Sequence, residues 1–319
     1  MKVFRTEAFQ GKLSKKNYFE GWYFKHVSKD FSNVYAFIPG ISLSGENSHS
    51  FIQVINGVSG ETHYISYDLK DFEWEKEKLW VKIGSSIFTN QYIYLNIDEA
   101  EIKINGRVEY SNALKYPKTL ASPSIMGWYA YIPFMECNHG IVSVSHELQG
   151  KLNINLNEVD FCNGKGYIEK DWGTSFPEAW IWLHSNSFTK HETSLFVSIA
   201  KIPWLGNFFM GFICFLYVNG TFYRFCTYNN SKITNIKYDG NALNLQLENK
   251  KYTLRVTAIS NSSGELKAPS FGEMKRRIKE SIDSTVQVKL FDKSNRLIYE
   301  DVGNRAGLEI IEKIFDYFK

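Results

Sequence analysis

The stretch "YIEKDWG", Tyr167 to Gly173, sets two carboxylates, Glu169 and Asp171, two residues apart in a run that reads as a strand. At a period of two they share a face. Neighbouring carboxylates raise one another's hold on a proton, and burial acts in the same direction. A carboxylic acid kept neutral near pH 7 in this way is a general acid. The same residues also admit a structural reading, with Asp171 capping a turn before Gly173 and Glu169 and Lys170 at a solvated strand edge. Upstream, Glu136, Cys137, His139 and His146 invite a metal site. Their spacing matches no zinc pattern, and the two histidines fall on the wrong interval for one helical face, so no metal is expected and core or loop histidines are the simpler reading. With an ordinary pKa near neutrality, His146 could donate to a ligand oxygen or hold a carboxylate. The indoles Trp22, Trp128, Trp172, Trp180 and Trp182 either pack a core or line a pocket. In a pocket their π faces would attract a cation by ~0.5–2 kcal/mol each. No G-x-S-x-G element, P-loop or H-E-x-x-H run is present, and "GKG" at Gly164 to Gly166 enters a strand, so it cannot cradle phosphate as a helix-opening loop does. No cofactor is expected.

The elements that must position these residues are strands. Aromatic residues make up 16% of the chain while prolines number 7, a composition that suits pleated, half-buried surfaces. Short alternating runs such as "VYAFIPG", "SFIQVING" and "ALNLQLEN", punctuated by Asn-Gly and Asp-Gly, predict an antiparallel meander closed into a barrel or sandwich. Leu195 to Val218 is apolar enough to suggest a membrane span, but Lys201 and a turn signal from Pro203 to Gly206 divide it, which predicts a buried hairpin. Helices are expected over Phe271 to Ile282 and over Arg305 to Phe318, the latter with Leu308, Ile311, Ile314, Phe315 and Phe318 along one side.

The chain also repeats itself. "FEGWYFKH" and "PEAWIWLH" place Glu20, Trp22, Phe24 and His26 in the pattern of Glu178, Trp180, Trp182 and His184. Phe51-Ile52 and Asn56-Gly57 recur in the same order as Phe212-Ile213 and Asn219-Gly220, with the separation drifting from 158 to 163 residues. A period near half of 319 residues predicts two tandem β-domains, 1–172 and 173–319, each opening on the repeated strand. Trp22 and Trp180 should then occupy equivalent strands and face the interior, with His26 and His184 as architecture.

A net charge of +3 is too small to build a field for nucleic acid. Cys137, Cys162, Cys214 and Cys226 form no CxxC pair, as expected of reduced thiols. The opening "MKVFRTEAFQGKL" lacks the apolar core of a signal peptide, which predicts a cytoplasmic protein.

From Met126 to Phe188 the chain reads "MGWYAYIPFMECNHGIVSVSHELQG" and then "GYIEKDWGTSFPEAWIWLHSNSF". With the early "FEGWYFK", these blocks resemble the tocopherol cyclase family, in order and over most of the chain, the likeness fading beyond about Val218. The resemblance implies paired lipocalin-like barrels and closure of a chromanol ring on a prenylated quinol without redox cofactor or metal. The chain lacks a plastid-transit-like extension, which fits a bacterial-type relative acting on another prenylated or polyene ligand. Ring closure onto a trisubstituted alkene needs a proton on the less substituted carbon and capture of the tertiary cation by a phenol oxygen. The resemblance therefore favours Asp171 as the acid, with Glu169 second and His146 as a polar partner. Glu20, Trp22, Trp128, Tyr129, Tyr131, Glu136, Trp172, Trp180, Trp182 and Asn186 are the expected ligand contacts. The partner is a hydrophobic small molecule, and a ligand of that kind is compatible with peripheral membrane contact. Two other classes stay open: a non-catalytic isoprenoid carrier, which needs the same aromatic interior, and a glycan-active protein, which uses similar aromatics and paired carboxylates.

Overall fold

A computed structural model describes residues 2–190 and 192–318. Strands take up 63% of the chain and 3-10 turns the remaining helical 7%, so among the described residues there is no α-helix. Two compact units emerge, one made of Met1–Asn56, Glu61–Phe176 and Glu265–Ile278, the other of Gly57–Gly60, Pro177–Gly264 and Lys279–Lys319.

In the first unit β1 (Tyr18–Val27), β2 (Val34–Leu43), β3 (His49–Asn56) and β4 (Thr62–Asp68) are successive antiparallel neighbours. A 3-10 turn, Leu69–Asp71, leads into β5 (Phe72–Trp74), β6 (Trp80–Ile83), β7 (Ser86–Thr89) and β8 (Tyr92–Asp98). Then come β9 (Lys103–Leu114) and the long β10 (Cys137–Ile154), on which β11 (Asn157–Asp160) folds back. Finally β12 (Gly164–Gly173) inserts between β10 and β1. The strand order thus runs from β4 through β1, β12 and β10 to β5. Because β4 and β5 are joined by that short turn alone, the two edges are brought back to each other and the sheet is nearly a closed barrel.

The second unit repeats the plan with β13 (Trp180–Ser185), β14 (Ser187–Phe188), β15 (Thr193–Trp204), β16 (Asn207–Val218) and β17 (Thr221–Cys226). It continues through β18 (Lys232–Tyr238), β19 (Ala242–Glu248) and β20 (Tyr252–Ile259); β21 (Gly264–Ser270), from Glu265, and the start of β22 (Glu273–Asp292), through Ile278, belong to the first unit, and the rest of β22 with β23 (Leu297–Ile310) completes the second. Its order, from β17 through β16, β15, β13, β23, β22, β20 and β19 to β18, again sets an opening strand, β13, against a closing one, β23. The apolar stretch from Leu195 is the hairpin of β15 and β16. Its two-residue turn, Leu205-Gly206, has φ of 47° and 78°, the conformation that matches the twist of the flanking strands.

Both expected helices are corrected. Phe271–Ile282 runs into β22, where pairing with β21 and, from Glu280, with β23 imposes a period of two, and Arg305–Ile310 ends β23. Only Glu312–Tyr317 turns, as a 3-10 segment with Ile314 buried. Apolar spacing compatible with a helix is overridden wherever neighbouring strands satisfy the backbone.

The repeat is real in topology and shifted in facing. Trp22 and Phe24 belong to the inner cluster of the first barrel, with Ile52, Ile93 and Ile168. In the second unit the inner cluster takes Ile181 and Leu183 from β13, and Ala179 just before it, so Trp180, Trp182 and His184 stand on the other face. A slip of one residue between strand and motif exchanges the faces of every side chain. The expectation that both tryptophans face an interior therefore holds for Trp22 and fails for Trp180.

Candidate active site

Two polar clusters occupy opposite faces of the strip formed by β1, β12 and β10. On the inner face, Glu20 and Lys170 form an ion pair whose side chains are both 0% exposed. Glu20 also accepts the backbone N–H of Gln10 at 2.8 Å and of Gly11 at 3.0 Å, and the Tyr18 hydroxyl donates to it. Lys170 donates to the carbonyls of Thr6, at 2.9 Å, and Ala8. Its ammonium lies 4.8 Å from the ring of Trp22 and 4.9 Å from that of Trp172. Burial lowers the Lys170 pKa, and the adjacent Glu20 carboxylate opposes the shift. Trp22 Nε1 donates to the Glu7 carbonyl at 2.8 Å, and Phe9 packs edge-on against Phe72 and Trp74. Glu20 and Trp22, expected as ligand contacts, thus hold the N-terminal segment against the inner face of the barrel, and Trp172 lies beside the Lys170 ammonium.

Further along the same inner face, His26 Nε2 lies 2.8 Å from the Tyr110 hydroxyl, and His146 Nδ1 lies 2.8 Å from Ser143 Oγ. The rings of Tyr110 and His146 are 4.3 Å apart. Burial lowers both histidines, His26 to about 3. Gly166 pairs with both strands here, and a Cβ on it would lie 2.1 Å from His146 Nε2. His146 is therefore a neutral core side chain on the face opposite Glu169 and Asp171.

The outer face carries the second cluster. Alternation along β12 puts Tyr167, Glu169 and Asp171 there, and pairing sets His139 opposite Asp171 and Ile141 opposite Glu169. His139 Nδ1 is 2.9 Å from Asp171 Oδ1, and its Nε2 is 3.5 Å from Glu169 Oε2. Tyr167 donates its hydroxyl to Glu169 Oε2 at 2.6 Å. Burial alone would lower the His139 pKa, but the carboxylates of Asp171 and Glu169 outweigh it and raise it to about 9. The ring is thus an imidazolium at neutral pH, held between two carboxylates. Burial, with Asp171 and Glu136 nearby, pushes the Cys137 thiol well above its ordinary value, so it remains a thiol. Exposure grades across the cluster, the side chains of Glu169, His139 and Asp171 being 5%, 12% and 24% exposed, so Asp171 is its outermost acid.

The remaining expected contacts scatter. Trp128, Tyr129 and Tyr131 lie in the 3-10 turn Gly127–Tyr131 that precedes β10, with the rings of Trp128 and Tyr129 stacked at 4.1 Å. That loop is tied to the cluster through Met126, whose sulfur accepts the His139 N–H at 3.2 Å. Glu136 contributes its carbonyl to the Thr174 N–H at 2.8 Å. Trp180, Trp182 and Asn186 belong to the second unit, where Trp180 Nε1 donates to Glu309 at 2.7 Å and Trp182 covers Gly307.

The pairing Glu169 with Asp171 was readable from the sequence, and the same alternation reaches back to Tyr167, which that reading passed over. His139 carried no such signal. Its partnership depends on β10 lying beside β12 in one particular register.

A family described as tocopherol cyclase-like matches residues 101–311. The chain is 25% identical to a probable chloroplastic tocopherol cyclase of Oryza sativa subsp. japonica over 219 residues, which cover 64% of this chain and 46% of that protein. It is also 25% identical to the chloroplastic tocopherol cyclase of Zea mays over 198 residues, covering 59% and 42%. The chain therefore spans about half the length of the curated relatives it matches. Among solved structures, CghA with Sch210972 aligns with a TM-score of 0.58 at 9% identity, covering 92% of this chain and 88% of the other. A putative AttH from Nitrosomonas europaea gives 0.52 at 10% identity, covering 91% and 92%. Kievitone hydratase from Nectria haematococca gives 0.50 at 10% identity, covering 95% and 93%. At those identities the likeness is one of fold.

Proposed function

This chain belongs to the tocopherol cyclase-like family, and from that premise we propose that it catalyses an acid-driven cyclisation, or the related isomerisation or hydration, of a prenylated quinol or other isoprenoid. The observation that carries the reading is the partly open carboxylate of Asp171, hydrogen-bonded to an imidazolium that a second carboxylate also holds. In the ligand-free site the shared proton rests on His139. An apolar ligand over Asp171 displaces water, and separated charges are costly in a dry environment, so the proton moves along the 2.9 Å contact from Nδ1 to Oδ1. Asp171 is then the neutral acid that alkene protonation requires.

The bookkeeping of the cyclisation closes within the cluster. Asp171 gives its proton to the less substituted alkene carbon, the phenol oxygen bonds to the tertiary cation, and the phenol proton returns to the imidazole and carboxylate pair. Glu169, fixed by Tyr167, keeps a negative charge nearby through the cationic stage. In a hydration, water replaces the phenol oxygen as the capturing group. The names of the relatives support this reaction class, and the fold neighbours include an enzyme named for a hydration. A ligand carrier is the weaker reading, because it gives no reason for an imidazolium between two carboxylates.

Asp171→Asn tests the assignment. It keeps shape and removes the acid, so affinity for a cyclisable prenylquinol should change little while product formation falls by about 10²–10⁴-fold. Glu169→Gln is the matched comparison on the same face, expected to reduce turnover less. Parent-like turnover by both variants would remove the acid from this cluster. Tight binding by the parent with no conversion across a panel of prenylquinols would favour the carrier.

A further inference from the structure

Gly21 occupies the middle of β1, directly opposite Asp171 on β12 and Gly40 on β2. Most mid-strand glycines of this protein are explained by what a side chain would strike. At Gly40 a Cβ would lie 2.4 Å from the Phe51 ring, at Gly307 it would meet Trp182 at 2.4 Å, and at Gly173 it would lie 2.1 Å from the Glu136 carbonyl oxygen. Gly21 has no such explanation. A Cβ there would find only the Pro39 oxygen at 3.7 Å and Ile38 Cγ2 at 3.9 Å, which is ordinary contact, and its φ is not in the left-handed region. Glycine inside a strand costs roughly 0.5–1 kcal/mol relative to alanine, so the fold gains nothing from it here.

The surroundings give the vacancy a shape. Phe19 and Tyr23 flank Gly21 on the same face, each two residues away, and both are buried. At about 3.3 Å per residue their Cα atoms stand roughly 13 Å apart, with the glycine midway. A flat ring inserted between them would lie roughly 6–7 Å from each neighbour, within the range over which aromatic rings pair. Gly21 is also the one residue of β1 that is not buried, and Ile38 holds that position on β2. On the neighbouring strands Asp171 and His139, on the same face, are partly exposed as well.

We propose that Gly21 is the floor of a ring-sized slot that receives the aromatic head group of the substrate between Phe19 and Tyr23 and delivers it against Asp171. This rests on the reading of the Asp171 cluster given above, and it adds that the substrate carries a planar ring and that residue 21 sets the ring's admission.

Binding of geranylhydroquinone, thermal melting and the NMR titration of His139 are to be measured on the full chain for the parent, Gly21→Ala and Gly21→Val. Affinity should fall tenfold or more in Gly21→Val and less in Gly21→Ala. The melting midpoint should hold or rise, since a β-branched residue suits a strand, and His139 should still titrate near 9. Unchanged affinity in Gly21→Val overturns the slot, as does a lowered midpoint or a displaced His139 titration in either variant, because glycine would then serve the fold. Parent-like turnover by Asp171→Asn, with Gly21→Val still losing the ligand, would remove the acid and leave the slot. A parent that does not bind geranylhydroquinone would remove both.

Discussion

At the scale of residues, the unexpected feature is that the acid cluster carries its proton on a histidine. A neutral carboxyl was expected from two adjacent acids, yet His139 between them takes the proton first, because a cation gains from both negative charges at once. The sign of the resulting pH dependence follows. His139 has a folded pKa of about 9 against an ordinary value of 6.5, so its contribution to stability is complete below about 6.5 and is lost as pH rises through 9. In the proposed mechanism the proton that reaches Asp171 is lost over the same alkaline range. Turnover should therefore show an alkaline limb near 9, and the urea midpoint of the parent should decline relative to His139→Gln between pH 6.5 and 9. An alkaline limb that survives in His139→Gln would assign the ionisation to another group.

At the scale of elements, β1 and β12 do two jobs with one pairing. Their even-numbered residues, Glu20, Trp22, Ile168 and Lys170, face inward, three of them binding residues 6–11, while Gly21, Glu169 and Asp171 face outward. The inner ion pair has no access to water, and removing one partner strands the other charge, at a cost of about 3–5 kcal/mol. Glu20→Gln should accordingly lower the melting midpoint strongly and open the chain before β1 to proteolysis, without changing the pH profile of whatever protein remains folded. A stability loss below 1 kcal/mol would mean that the segment is held mainly by Phe9 and the Trp22 indole.

At the scale of the whole molecule, the first unit is completed by a piece of chain that arrives late. Residues Glu265–Ile278 follow most of the second unit's strands, yet the Gln53 side chain bonds both backbone groups of Lys267, at 2.9 and 3.0 Å, and Ser42 donates to the Gly272 carbonyl at 2.6 Å. A segment stabilised this way should open with the unit that holds it. Hydrogen exchange can read that allegiance: in Glu20→Gln, amides of 265–278 should speed up together with those of β1 and β12, while β13 and β15 keep parent rates. Exchange of 265–278 in step with β13 and β15 would contradict the assignment.

The sequence by itself determined what depends on local spacing. Alternating apolar residues and Asn-Gly turns specified strands, the order-preserving repeat specified two units of one plan, and the two-residue interval in "YIEKDWG" put Glu169 and Asp171 on one face. Tertiary structure decided everything that depends on which strands lie together and in which register. Pairing of β12 with β10 brought His139 to Asp171 and sent His146 into the core. A one-residue offset turned Trp180 away from the interior that Trp22 occupies. The ladder of β22 made a strand of a stretch spaced like a helix. The physical reason is that a strand's own period fixes only that its side chains alternate, whereas which face becomes core, and which acid meets which base, is set by hydrogen bonds to residues distant in the chain.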